Sequence, residues 1–349
     1  MNGRSPPRNL RSREKNSEMT NAEFHRLSIQ ARNSLPDLTR RIMKKIKKVY
    51  EEAARNVAEQ VALADLASTF GGQSELTTAS RVSVYRQLEQ EAAKVAAAIE
   101  ENGKIGLQMA VEKIGTANDT FMAQAFNDAG IATISRAVIA QIVSGVNTKV
   151  VESVVNRVWS DGYNFSKRCW LAGQRFQDDI KNILSTGLAE GRDVFDIAKD
   201  INIYSRDGKV KLFQRWDKLK RGSKEFAKRV PKNVDWRALR LVRTELYISL
   251  RDAGVQYGLA NPACTQEWDW IRQSSTDWGC SCPDYAKGSP YKLEDLPSTP
   301  HANCLCAVVP RMIPREQFQE QLKSWARGES QPGIQKWFED YYLPSERAA

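Results

Sequence analysis

The stretch ISRAVIAQIVSGVNTKVVESVVNRV, residues 134–158, decides what kind of fold this chain can have. Ile134, Val138, Ile142, Val146, Val150, Val154 and Val158 recur every fourth residue, and Ile139, Val143, Val151 and Val155 widen the stripe. So many β-branched side chains suit a pleated surface and could favour strands. A half-buried strand, however, alternates apolar and polar residues and is usually about 5–6 residues long, and this stripe does neither. A period near four, sustained this far, is one face of a long helix, suited to a core or a self-association surface.

The same period recurs on both sides. Leu38, Ile42, Ile46, Val49 and Tyr50, then Ala53, Val57 and Val61, predict an upstream helix, and Gly71-Gly72 breaks the pattern. Val84, Leu88, Ala92, Val95 and Ile99 predict a second, which Gly103 and Gly106 are expected to weaken or end. Downstream come a helix through Phe176, Ile180, Ile183 and Leu184, a short one from Val194 to Ile201, and one from Asp235 that Gly254 and Gly258 are expected to interrupt. Cys169 reads as a buried apolar residue. Then the period changes. Trp268-Asp269-Trp270-Ile271 alternates as a short strand does, and Ala307-Val308-Val309-Pro310 is a second strand able to pair with it.

The predicted class is therefore mostly α, with long helices and a small α+β C-terminal module whose short strands carry a cysteine knuckle. Four stretches follow: a basic disordered arm (1–37), a helical N-terminal region (38–130), a module (131–312) with a basic insertion at 205–235 and the knuckle at 277–306, and an aromatic tail (313–349).

Charge is uneven. The net charge is +10, and residues 1–50 hold 13 Lys/Arg against 4 Asp/Glu. Such an arm binds polyanions by releasing counterions, without reading sequence, although a solubilising tail has the same composition. On the helix from Leu38, Arg40, Arg41, Lys44, Lys45, Lys47 and Lys48 fill the faces away from the apolar stripe, making them the candidate nucleic-acid contacts. A solvated bundle face reads alike. The basic, aromatic-containing insertion with Phe213, Trp216 and Phe226 is a second candidate surface, or a linker. No run approaches the ~18 apolar residues of a membrane span, and the N-terminus lacks an apolar leader, so a reducing cytoplasm is expected.

Chemistry concentrates in the knuckle. Four of the six cysteines and one of the two histidines lie in Cys280-Ser281-Cys282 and His301-Ala302-Asn303-Cys304-Leu305-Cys306. Zinc takes four thiolate or imidazole ligands, often as close pairs from two turns, and Cys280, Cys282, His301, Cys304 and Cys306 offer five candidates for four places. Disulfide cross-linking and reduced packing thiols are the other readings of the same spacing. An enzyme has little to build on. Cys304 with His301 would be a nucleophile–base pair without an orienting carboxylate, and phosphate-loop, dinucleotide and His-Glu-x-x-His motifs are absent from the sequence.

Arg243-Thr244-Glu245, Trp268, Asp277, Cys280-x-Cys282, Ser289-Pro290-Tyr291, Leu296-Pro297, Pro300 and Cys304-Leu305-Cys306 together resemble the C-terminal module of phage head-morphogenesis proteins, the Mu F-like minor head (minor capsid) proteins. Arg157-x-Trp159, Leu188-x-x-Gly191 and Asp196-Ile197-Ala198 resemble its helical part, so the likeness covers roughly residues 150–312. Tyr285, Ala302 and Leu305 depart from it, standing where the family often has cysteine, proline and arginine.

The resemblance implies a non-enzymatic virion protein, a low-copy procapsid component. Its partners would be portal and capsid proteins and, non-specifically, DNA. It would work in the head interior or at the portal vertex after assembly in the host cytoplasm. Some members carry C-terminal toxin domains, and the roughly 40 residues after Cys306 are expected to be too few for one. A metal-dependent or ADP-ribosyl-type toxin enzyme and a stand-alone DNA-binding protein are the alternatives. Within the module, one of Arg243 and Glu245 is expected to pair with the knuckle loop and the other to stay solvated, and loss of the Arg243 side chain to loosen the loop at 283–300.

Overall fold

A computed structural model describes residues 24–69, 78–218, 232–272, 280–298, 301 and 304–348. Seven helices come first: α1 (24–33), α2 (Leu35–Thr69), α3 (Thr78–Asp128), α4 (Arg136–Asn156), α5 (Phe165–Ala189), α6 (Val194–Lys218) and α7 (Trp236–Leu259). Strand β1 (Cys264–Ile271), the short α8 (Cys282–Lys287) and β2 (Ala307–Met312) follow. The chain closes with α9 (Arg315–Ala326), α10 (Pro332–Trp337), a π-helical turn (Phe338–Tyr342) and α11 (Leu343–Ala348). This is a mostly helical protein with one small antiparallel sheet, as the periodicities predict.

The described residues form two compact units that interleave along the chain. One draws on 24–38, 106–154 and 244–348, the other on 39–105 and 155–243. In the second unit the stripe Ile42, Ile46, Tyr50, Ala53, Val57 and Val61 of α2 is buried, as are Val84, Leu88, Val95 and Ile99 of α3 and Phe176, Ile180 and Ile183 of α5. Tyr50 meets Phe176 edge-on at 5.5 Å, and Asn56 donates to Glu91 at 3.2 Å. Helix α3 does not stop at Gly103 or Gly106 but runs for 51 residues. A Cβ at Gly103 would lie 2.6 Å from Cζ of Phe165, so this glycine makes room for a ring that is 1% exposed. The ~1 kcal/mol that glycine costs a helix is offset by that burial.

The segment after Ile201 also differs from expectation. Helix α6 continues to Lys218, bent at Gly208, whose φ of 79° requires glycine. Leu212 and Trp216 are buried, and Trp216 Nε1 donates to Asp200 at 2.7 Å. Arg215 donates to both Asp200 and Asp196, at 2.8 Å each, while Arg192 pairs with Asp200 and lies over the Trp216 ring. The side chains that read as a basic, aromatic nucleic-acid surface are, at 215 and 216, parts of a charge network centred on the buried Asp200. Positions 219–231 of that insertion lie outside the described residues.

In the first unit, Val138, Ile139, Ile142, Val143, Val146, Val150 and Val154 of α4 are buried, so the deciding stripe is core. Val158 lies beyond the helix and is 65% exposed. Among the described helices α4 has the length and apolarity to cross a membrane, but its apolar face is spent on this packing. Residues 24–33, assigned from the sequence to a disordered arm, are helical because Phe24, Ser28, Ala31 and Leu35 put one face into the core. The remainder of that arm, 1–23, lies outside the described residues, as does Gly71-Gly72. The aromatic tail docks on the same core: Phe318 is fully buried, and Trp337 stacks on Phe126 at 5.3 Å.

Candidate metal centre

Two strands and the end of α7 make the platform. β1 and β2 pair antiparallel, with Trp268 opposite Pro310, Trp270 opposite Val308 and Ile271 opposite Ala307. The register slips between Cys264 and Trp268, where Gln266 takes a φ of 62°, a bulge that turns the strand. Helix α7 runs through Gly254 and Gly258 instead of breaking there. A Cβ on Gly254 would collide with the carbonyl oxygen of Val308, and one on Gly258 would lie 2.7 Å from Nε1 of Trp268. Both glycines let helix and sheet approach closely, and Trp268 donates through that gap to Gly254 O at 3.4 Å.

The loop between the strands is fastened to β1. Trp268 and Tyr291 exchange two backbone hydrogen bonds of 2.8 Å, and Ser289 Oγ accepts from Trp270 N at 2.7 Å. Tyr291 OH donates to Tyr285 O at 2.9 Å, and the Tyr285 ring packs edge-on against Trp270. This fastening sets α8, and Cys282 at its start, beside the chain that enters β2. Cys304 and Cys306 stand just before that strand.

All five candidate ligands come together, as two triads sharing one residue. Cys280, Cys282 and His301 have donor atoms within 4.8 Å of one another, and so do Cys282, Cys304 and Cys306. Cys282 Sγ lies 3.5 Å from His301 Nε2 and 3.7 Å from Cys304 Sγ. Around a tetrahedral zinc with Zn–S bonds of ~2.3 Å and Zn–N bonds of ~2.1 Å, neighbouring ligands sit about 3.5–3.8 Å apart. The spacing around Cys282 is therefore that of a ligand shell. It is far from the ~2.05 Å of a disulfide, and none of the six cysteines is in one. The cluster could hold a metal ion.

Burial decides the chemistry of these thiols. Cys282, Cys304 and Cys306 belong to the hydrophobic core of this unit, Cys280 is half-buried and His301 is exposed. Burial pushes the Cys282 thiol up to about 12, and the hydrogen bond with Cys306, together with burial, raises Cys304 further. A nucleophilic cysteine needs the opposite shift. Such thiols lose their protons readily only to a metal.

Two arginines of this unit escaped the sequence reading. Arg251, not the expected Arg243, holds the loop: its Nη1 donates to Pro297 O at 3.4 Å and its guanidinium lies over the Trp270 ring at 5.8 Å. One of Arg243 and Glu245 was expected to be solvated, yet Arg243 is half-buried and Glu245 is 2% exposed. Arg32 on α1 is 6% exposed. Its Nη2 donates to Asn33 at 3.2 Å, while among the described residues Nε and Nη1 meet no acceptor. Burial lowers its pKa, and the ionised forms of Tyr247 and Cys306 are near enough to oppose that shift. A signal for Arg32 existed: it falls on the face of Ser28, Ala31 and Leu35, where a charge is out of place.

The basic candidates lie elsewhere, on α2 in the second unit. Arg40, Arg41, Lys44, Lys45 and Lys48 are exposed on the side opposite the buried stripe, and Lys47 is half-buried beside Glu51 at 3.6 Å. They form a cationic helix face, and among the described residues the metal donor sets lie elsewhere. Comparison with known protein families, with curated proteins and with solved structures finds no match for this chain.

Proposed function

We propose that this chain is a structural minor head protein of a tailed bacteriophage, bound to portal or capsid shell, with a metal-stapled C-terminal module. The observation that carries the reading is the convergence of Cys-x-Cys and His-x-x-Cys-x-Cys on one buried hairpin in an otherwise helical chain, where the head-morphogenesis resemblance implies it. Zinc is the metal this donor set suits best. The staple's role is to hold the loop at 283–298 on its platform, presenting it as a rigid surface.

Raised thiol pKa values favour ligands over nucleophiles, and so a binding protein over an enzyme. A cleft of about 490 Å³ in the same unit, lined by residues including Thr120, Gln124, Asn127 and Arg136, has no carboxylate, histidine or cysteine in its wall among the described residues. The exposed cationic face of α2 supports non-specific contact with packaged DNA.

The test is co-expression with the portal and major capsid proteins encoded in the same genome, followed by isolation of procapsids. Sedimentation with the shells at low copy number is the expected result. A chain that stays in the soluble fraction, in the presence of assembled shells and portal, overturns the reading.

A further inference from the structure

The turn ahead of α5 carries a surface that neither the metal centre nor the basic face of α2 uses. Val158, Tyr163 and Trp170 are 65%, 38% and 46% exposed, and exposed apolar and aromatic surface rimmed by charge marks an interaction site. Cations accompany them. Arg157 and Arg168 lie over the Trp159 ring, 5.9 and 5.3 Å from its centroid, and Lys167 Nζ lies over the Trp170 ring at 3.7 Å. Residues 157–170 hold these three cations against one carboxylate, Asp161, which pairs with Arg168 at 2.6 Å. Backbone hydrogen bonds fix the turn. Trp159 N donates to Tyr163 O at 3.1 Å, and Gly162, at a φ of 78°, donates to Trp159 O at 2.8 Å. Phe165 fills the space left at Gly103, and Ser166 Oγ donates to Glu100 at 2.7 Å, which fastens the start of α5 to α3.

We propose that this turn and the first turns of α5 are the surface by which the chain docks on an acidic face of a portal or shell protein, an inference that rests on the head-protein reading above. Trp, Tyr and Arg are the side chains that dominate the energy of protein interfaces, and all three are gathered here. The local excess of positive charge selects an acidic partner and disfavours a basic one. A turn already fixed by its own hydrogen bonds loses little freedom on docking, so more of the contact energy is kept as affinity. Single-stranded nucleic acid is the other polyanion that aromatic and basic residues serve, but it stacks its bases on open ring faces. Here Lys167 covers a face of the exposed Trp170 and two guanidiniums lie over Trp159, which favours the protein partner.

Full-length wild type and variants are co-expressed with the portal and major capsid proteins of the same genome, and copies of this chain per isolated shell are counted. Lys167 and Trp170 are both exposed on α5. Losing a hot-spot side chain weakens an interface by roughly 30-fold or more. Lys167→Glu and Trp170→Ala should therefore each leave less than about a tenth of the wild-type copies in the shells, with the remainder folded in the soluble fraction. Lys167→Arg, which keeps the charge, should stay close to wild type. Affinity of Trp170→Ala for random DNA, single- or double-stranded, should be unchanged. Wild-type incorporation of Lys167→Glu or of Trp170→Ala overturns the inference. So does a Trp170→Ala protein that loses single-stranded DNA binding and still enters shells, which would make the turn a base-stacking surface. Should Trp170→Ala fail to fold by circular dichroism, Lys167→Glu decides alone. A wild-type chain absent from assembled shells removes the head-protein reading itself, and this inference with it.

Discussion

Cys282 is the one residue common to both triads, so the metal reading is most exposed there. Cys282→Ser should abolish metal uptake and lower the stability of its unit by ~3 kcal/mol or more, read from urea unfolding in zinc buffer. Cys169→Ser, a buried thiol on α5 in the other unit, should cost only about 1–2 kcal/mol, and zinc should not alter that cost. Equal losses would make the cluster ordinary packing. Asp179 gives a second test. It is 2% exposed, accepts from Tyr204 and Arg237 at 3.3 and 3.1 Å, and burial raises its pKa to about 6 in spite of them. An unfolded chain releases that proton near ~3.9, so the folded state holds it more tightly. The stability this gives is complete below about pH 4 and is lost as pH rises through about 6. Wild-type stability should therefore fall by up to ~3 kcal/mol over that window from this group alone, and Asp179→Asn should remove the slope. Parallel urea midpoints for the two proteins from pH 4 to 7 would exclude it. The five candidate ligands were legible because soft donors are rare and stood in close pairs. Arg251 and Arg32 were not, because an arginine's reach across space has no trace in its spacing along the chain.

At the scale of elements, apolar period four located α2, α3, α4 and α5, and alternation located the two strands. The errors were mostly at glycines. Gly103, Gly254 and Gly258 read as helix breakers, yet each sits inside a helix against a ring or a strand, and no local pattern separates a break from a close approach. Gly254→Ala should destabilise by ~1–3 kcal/mol, since the obstacle is the backbone carbonyl of Val308 and not a side chain that can turn aside. Gly145→Ala on α4, with open space around the new methyl group, should gain up to ~1 kcal/mol. Thermal unfolding of the two variants checks both signs. The basic face of α2 makes its own prediction. Replacing Arg40, Arg41, Lys44, Lys45 and Lys48 with glutamine should weaken binding to random duplex DNA. The log–log salt slope should fall by about 0.9 for every phosphate no longer neutralised. An unchanged slope would make this a solvated face. Trp216 and Arg215 show why composition misleads: a basic, aromatic segment can spend its charges internally.

At the scale of the molecule, a sequence is read along a line, and these units are not linear. Residues 24–38, 106–154 and 244–348 meet in one unit although the other takes its residues from between them, which periodicity alone does not reveal. Metal removal should therefore have a divided effect. Hydrogen exchange after chelation should show lost protection in the C-terminal half of α7 and in β1 and β2, with α5 and α6 unchanged. Uniform loss, or none, would refute a staple confined to one unit. The interleaving also sets a timetable. Phe24 packs on Phe121, and the hydroxyl of Tyr342 both accepts from Ser135 N and donates to Thr133 O, so the first described helix and the π-helical turn near the C-terminus belong to one core. A ribosome adding ~5–20 residues per second needs on the order of 15–60 s to travel from Phe24 to Tyr342. Through that interval α1 waits with its apolar face and its buried arginine exposed. A chain that stops before Tyr342 leaves this core without one of its closing residues.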